Sequence, residues 1–142
     1  MVDAVSSDQC SGTCGIGHTR WATHGAPSER NAHPHTSCAD DIAVVHNGII
    51  ENFTELREEL IAKGHTFVSD TDTEVAAHLV EEGYNGNLLE AVRYAASRLV
   101  GAYGLAVTCE QEPGTIVVTR KDSPIVLGSS EKGSYVASDI IA

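Results

Sequence analysis

Apolar residues recur at helical spacing in three stretches of the chain. Over residues 52–64, Phe53, Leu56, Leu60 and Ile61 fall on one face while Glu55, Arg57, Glu58 and Glu59 face water. Asn52 stands where a helix takes its cap, and Lys63-Gly64 where one ends. A second helix is predicted after the acidic run Asp70-Thr71-Asp72-Thr73-Glu74, carrying Val75, Leu79 and Val80. Acidic residues there suit the positive end of the helix dipole. The third, over residues 87–99, gathers Leu88, Leu89, Val92, Ala95, Ala96 and Leu99 on one side and reads as packing alone.

Between and around these helices the period shortens to that of strands. Residues 15–22, GIGHTRWA, alternate Ile16, His18 and Arg20 against Gly17, Thr19 and Trp21, which predicts a strand presenting polar groups on one face. Residues 42–46, IAVVH, form a short apolar strand ending at Asn47-Gly48, a pair that tolerates positive φ and signals a turn. Further strands are expected at 65–69, 102–109, 115–120, 125–128 and 134–138. The stretch 23–41 has two prolines, several turn formers and three histidines but no period, so it reads as a long ordered loop of the functional kind. Helices clustered between groups of strands argue for an α+β fold, helices packed on stacked, mainly antiparallel sheets.

Composition narrows the class. A chain of 142 residues that is 42% hydrophobic can bury one core, so residues 1–142 are read as a single domain. Its 20 acidic against 9 basic residues give a net charge of −11, which repels phosphate backbones and anionic membranes and excludes nucleic acid and membrane as expected partners. The start is acidic and polar where a signal peptide would be basic then apolar, and a cytoplasmic location is expected. Cys10, Cys14, Cys38 and Cys109 are read as reduced thiols. Cys10 and Cys14 lack a paired second half, and His24, His33 and His35 match no common ligand spacing, so no metal is expected.

The candidate chemistry lies at strand ends and in loops: Arg20, Trp21, Thr23, His24, His33, Asn47, Gly48 and Asp72. An arginine can grip a carboxylate through two parallel hydrogen bonds, and an aspartate at a loop tip can hold an ammonium group. Together they fit an α-amino acid. An amide side chain followed by glycine is a plausible oxyanion hole for acyl transfer. Singly, each residue also has an ordinary reading, as surface ion pair, hairpin turn or helix-start acid. No nucleophile stands out.

The strings HTRWATHG from His18, NAHPH from Asn31, HNGIIEN from His46 and SDTDTEV from Ser69, followed by GAYGLAV from Gly101 and VASD from Val136, resemble the glutaminase domain of the glutamine–fructose-6-phosphate aminotransferases over nearly the whole chain. The resemblance implies an N-terminal-nucleophile hydrolase fold, an αββα sandwich of stacked antiparallel sheets, with the first strands missing from this sequence. It implies hydrolysis of glutamine to glutamate and ammonia, with ammonia passed to fructose 6-phosphate on an isomerase domain that is absent here, giving glucosamine 6-phosphate. No cofactor is implied, and the parent protein is expected to be a homodimer.

Carried over by residue, Arg20 binds the α-carboxylate of glutamine, with Thr23 and His24 shaping that end. Trp21 covers the site and gates the ammonia path. Asn47 and Gly48 stabilise the oxyanion, and Asp72 holds the α-amino group. His33 supports the loop carrying Arg20, while His35 and His46 orient backbone. The family's nucleophile is a cysteine at the exposed amino terminus, activated by its own α-amine. This sequence begins Met1-Val2-Asp3, and Cys14-Gly15 directly precedes HTRWATHG where the family has a long intervening stretch. Cys14 is therefore read as an ordinary residue and the isolated chain as inactive. The alternatives are a non-catalytic glutamine-binding module, or the glutaminase domain of another amidotransferase such as the amidophosphoribosyltransferases.

Overall fold

The antiparallel ladder at the centre of the molecule follows from two nine-residue apolar segments. In the computed structural model, which describes residues 12–20 and 24–140, β1 (His35–Thr36), β2 (Ile42–Ile50), β3 (Gly101–Cys109) and β4 (Val117–Lys121) form one antiparallel sheet in the order β1-β2-β3-β4. Three helices, α1 (Phe53–Ala62), α2 (Thr73–Gly83) and α3 (Leu88–Arg98), intervene between β2 and β3. A separate antiparallel hairpin, β5 (Val126–Ser130) with β6 (Gly133–Ala137), closes the chain.

Alternation along the central strands sets the layers. Ile42, Val44 and Ile50 of β2 and Tyr103, Leu105 and Val107 of β3 are buried in one core with Leu56, Leu60, Val75, Leu79, Leu88 and Val92 of the helices. Each such side chain contributes about 1.5–3 kcal/mol by leaving water. Helix α2 is buried at every position from Thr73 to Val80, so its first turn is enclosed by other elements. The opposite face of β2 and β3 presents Val45, Asn47, Gly104 and Ala106 to Pro124, Ile125 and Val136, which belong to and precede the β5–β6 hairpin. The expected stacking of antiparallel layers is thus present. Among the described residues no helix is long and apolar enough to cross a membrane.

Four local expectations differ from the structure. Asn47-Gly48 is no turn: β2 runs on to Ile50, with Asn47 opposite Gly104 and Gly48 opposite Tyr103. Gly48 does take positive φ, 120°, but to admit its neighbour, because a Cβ there would lie 2.1 Å from the Ala102 carbonyl oxygen. Residues 15–20 form no strand, and Arg20 has φ 50°, which no strand accommodates. Residues 65–69 form no strand because the amides of Val68 and Ser69 donate to the Glu74 carboxylate (2.7 and 2.8 Å) in place of a neighbouring strand. The Asn52 side chain makes no bond to its own helix. It accepts from Val100 N and donates to Arg98 O (both 3.0 Å), tying the start of α1 to the entry of β3. Asn87, by contrast, caps α3 through Glu90 N.

Candidate functional site

A cavity of about 400 Å³ opens at the end of β2 beside the start of α2. Arg20, His24, His33, Asn47, Gly48 and Asp72 all line it, together with His18, His46, Ile49, Thr71 and Thr73. Six residues singled out from sequence are thereby brought together from four separate segments. Trp21, Thr23 and Cys10 lie outside the described residues. Cys14 is exposed and is not among the lining residues.

Backbone alternation explains how β2 serves the cavity. In an antiparallel pair, successive amides point to opposite edges. The Ile42 carbonyl accepts from Ser37 N, His46 N donates to His33 Nδ1 (3.5 Å) and Ile50 N donates to Asp72 Oδ2 (2.9 Å), all on the edge away from β3. Glu51 N, of the other parity, bonds Val100 O on the β3 side. By this alternation the Gly48 N–H, between His46 and Ile50, is directed toward the same edge as Asp72, into the cavity. The Asn47 side chain emerges from the strand face beside it.

The tautomer of His18 settles the orientation of the Asn47 amide. Arg20 N donates to His18 Nδ1 (2.8 Å), so in the neutral ring the proton sits on Nε2, which donates to Asn47 Oδ1 (2.6 Å). With its oxygen taken, Asn47 keeps its NH₂ as the outward donor. The sequence marks His18 only as part of a polar strand face. The signal for its role was its place two residues before Arg20, without any indication that it would reach Asn47.

Arg20 is held by its own loop. Its guanidinium donates to the carbonyls of His24 (2.6 Å), Gly25 (3.0 Å) and Ala26 (3.3 Å). That uses three of the five N–H donors an arginine carries and fixes the plane of the fork. The loop is anchored in turn by the buried Asn31, whose amide donates to Ala26 O (3.0 Å) and whose oxygen accepts from Asp70 N (2.9 Å). Asn31 thus joins the Arg20 loop to the Asp70–Asp72 approach to α2.

Asp72 is buried at the helix start, as expected, but it does not cap α2. One carboxylate oxygen accepts from Ile50 N, and the ring nitrogens of His24 and His46 lie at 3.8 and 4.0 Å. His46 Nδ1 pairs with Thr73 Oγ1 (2.9 Å), which also meets His33 Nε2 (3.2 Å), while His35 Nε2 pairs with Thr71 Oγ1 (2.9 Å). The His33 ring packs against both His18, tilted, and His35, edge-on, with centroids 4.4 and 5.0 Å away.

Burial, and secondarily the neighbouring histidines and Arg20, pushes the His33 pKa down to about 3. Burial also lowers His46, to about 4, although Asp72 pulls it back up. Both rings are neutral near neutral pH. A group whose folded pKa lies below its unfolded value of about 6.5 costs stability as it is forced to charge, so the loss begins as pH falls through 6.5 and continues to about 4 for His46 and about 3 for His33. Glu74 acts in the same sense over a lower range. Burial pushes its pKa up, but the nearby His78 ring and hydrogen bonds from the Ser69 hydroxyl and the Val68 and Ser69 amides outweigh this and hold it at about 2. We expect the thermal midpoint to fall steadily from pH 7 to pH 4, with His46 alone removing up to about 2 kcal/mol by about pH 5. A flat profile between pH 7 and 5 would refute the buried-neutral histidines.

The family described as "Glutamine amidotransferase domain" matches residues 18–142. Glutamine–fructose-6-phosphate aminotransferases (isomerizing) from Clostridium tetani and Symbiobacterium thermophilum are similar. The first is 51% identical over 142 residues (100% of this chain, 23% of the relative) and the second 59% identical over 128 residues (90% and 21%). The relative from Pyrococcus horikoshii is 54% identical over 144 residues, covering 100% of this chain and 24% of that protein. This chain therefore spans about a quarter or less of the curated relatives it matches. Among solved structures, the glutamine phosphoribosylpyrophosphate amidotransferase from B. subtilis, complexed with ADP and GMP, superposes with a TM-score of 0.69 at 30% identity, covering 85% of this chain and 26% of that one. The fold is that of the N-terminal-nucleophile amidotransferases, an α+β arrangement of antiparallel sheets and helices.

Proposed function

Because this chain belongs to the glutamine amidotransferase domain family, we propose that it is the glutamine-hydrolysing part of a glutamine–fructose-6-phosphate aminotransferase. In this reading it releases ammonia for transfer to fructose 6-phosphate bound elsewhere in a longer, homodimeric, cytoplasmic protein. The observation that carries the reading is the convergence of Arg20, Asn47, Gly48 and Asp72 on one cavity. The 51–59% identity to aminotransferases, against 30% to the phosphoribosyl amidotransferase structures, favours the sugar-phosphate branch.

Each group has a task that its surroundings permit. Asp72, buried and already bonded to Ile50 N, offers its charge to the α-ammonium of glutamine. The N–H groups of Arg20 that its loop leaves unused take the α-carboxylate. His24, beside Asp72, shapes that end, and His33 holds the β2 edge through His46 N. The carboxamide of the substrate then reaches Asn47 and Gly48, where the Asn47 NH₂ and the Gly48 N–H meet the negative oxygen of the tetrahedral intermediate. Trp21 and Thr23 are assigned to the cover and the carboxylate end.

Acyl transfer also needs a nucleophile. Cys14 is exposed and is not among the residues lining this cavity, so the attacking thiol is assigned to the part of the longer protein that the relatives' length leaves room for.

Titration of the ¹⁵N-labelled chain with L-glutamine tests the reading. The Gly48 backbone amide and the Asn47 side-chain NH₂ are expected to shift, and D-glutamine is expected to leave them in place. Absence of saturable shifts at these groups would refute the site. Saturable binding, with no glutamate released by the full-length protein, would leave a glutamine-binding module instead. Glutamate release by this chain that disappears in Cys14→Ser would overturn the assignment of the thiol.

A further inference from the structure

A second cluster lies along α2, beyond its first turn. The turn before β2, the link between α1 and α2, and α2 itself bring Cys38, His65, His78 and Glu81 together, with one donor atom from each within 4.8 Å of all the others. Cys38 Sγ lies 3.6 Å from Nδ1 of both histidines. The same two Nδ1 atoms lie 3.0 and 3.2 Å from Glu81 Oε2. Two rings and a thiol thus aim at one point.

These separations have the size of the edges of a coordination tetrahedron. With Zn–S about 2.3 Å and Zn–N or Zn–O about 2.1 Å, sulfur-to-nitrogen edges come to about 3.6 Å and nitrogen-to-oxygen edges to about 3.4 Å. The outer nitrogens are oriented as metal-binding histidines require. His65 Nε2 meets Glu82 Oε1 at 3.2 Å, and Glu82 is itself held by Lys63. His78 Nε2, buried and without a hydrogen-bond partner, faces Glu74 Oε1 at 3.7 Å. The Glu82 carboxylate behind His65 fixes the tautomer that leaves its Nδ1 free for a cation, and the Glu74 carboxylate near His78 Nε2 favours a proton on that nitrogen in the same sense.

We propose that Cys38, His65, His78 and Glu81 form a four-ligand structural zinc site. A thiolate and a carboxylate balance the divalent charge, and one sulfur with two imidazoles selects zinc over magnesium or calcium. His78 is buried, His65 and Glu81 are half-buried and Cys38 is exposed, so the ion enters from the Cys38 side. Four protein ligands leave no open position, which makes the site a brace and not a catalyst. It clips the long loop before β2 to α2, the helix that begins at the candidate glutamine cavity, and it stands independently of how that cavity is used.

Metal content and cobalt spectroscopy of the purified chain decide the matter. About one zinc per chain is expected to survive dialysis, and cobalt is expected to give tetrahedral visible bands with a thiolate-to-cobalt charge-transfer band. Cys38→Ser should abolish the charge-transfer band, whereas Cys14→Ser should keep it. Glu82→Gln should weaken zinc binding by about tenfold or more while leaving the ligands in place. Zinc should raise the melting temperature of the parent chain and not that of Cys38→Ser, which also guards against loss of fold in the variant. An octahedral cobalt spectrum, a charge-transfer band that survives Cys38→Ser, or the same melting shift in both chains would overturn the site and leave the cluster as an ion-pair network.

Discussion

Gly48→Ala is expected to destabilise the chain by more than about 4 kcal/mol, placing it among the severe single substitutions. Two costs combine. At φ 120° an L side chain is strained, which by itself costs about 1–3 kcal/mol. The added Cβ would also stand 2.1 Å from the Ala102 carbonyl oxygen and 2.9 Å from Tyr103 Cα, both backbone, so nothing flexible can move aside. The β2–β3 ladder must part where the candidate oxyanion donors sit. Gly64→Ala separates the two costs, since Gly64 has φ 103° with no atom within 4 Å of its would-be Cβ. Urea denaturation should show Gly64→Ala losing only the strain and Gly48→Ala losing far more. If the two variants unfold at the same denaturant concentration, the close approach of β3 is not what demands glycine.

The same residue shows where sequence reasoning reached and where it stopped. Asn-Gly announced positive φ, and positive φ is there, but a local signal does not say whether the freedom serves a turn or the approach of another strand. The answer lay at Ala102, more than fifty residues away. Likewise the helical period of α3 and the apolar run of β3 were legible because each depends on its own residues. The extended stretch at 65–69 was misread as a strand because the acceptor for its amides is a side chain, Glu74, that no period reveals.

The site followed the same division. Arg20, Asn47 and Asp72 stand out in the sequence because such groups are rarely placed at expected strand ends and helix starts without use. The residues that aim them did not. His18 orients Asn47 across 29 residues, and Asn31 ties Asp70 to the Arg20 loop across 39. Cys38 looked solitary in sequence, and only the packing of α2 against the turn before β2 sets it beside His65, His78 and Glu81. Sequence displays the groups that act on a ligand more readily than the groups that hold them.

That distinction yields the strongest test of the cavity, because Asp72 belongs to both kinds. Its carboxylate accepts the Ile50 amide, a structural bond, and carries the charge offered to the α-ammonium. Asp72→Asn keeps an oxygen able to accept from Ile50 N and removes only the charge, so the fold should lose no more than about 1 kcal/mol. Glutamine binding should fall by at least about 100-fold, since an ammonium brought into a buried site without its partner forfeits about 3–5 kcal/mol. Asp72→Ala, which also abandons the Ile50 amide, should lose binding and stability together. Calorimetric titration with glutamine, read beside the thermal midpoints of the three chains, distinguishes the roles. An Asp72→Asn chain that binds glutamine as tightly as the parent would place the ammonium elsewhere and reduce Asp72 to a partner of Ile50.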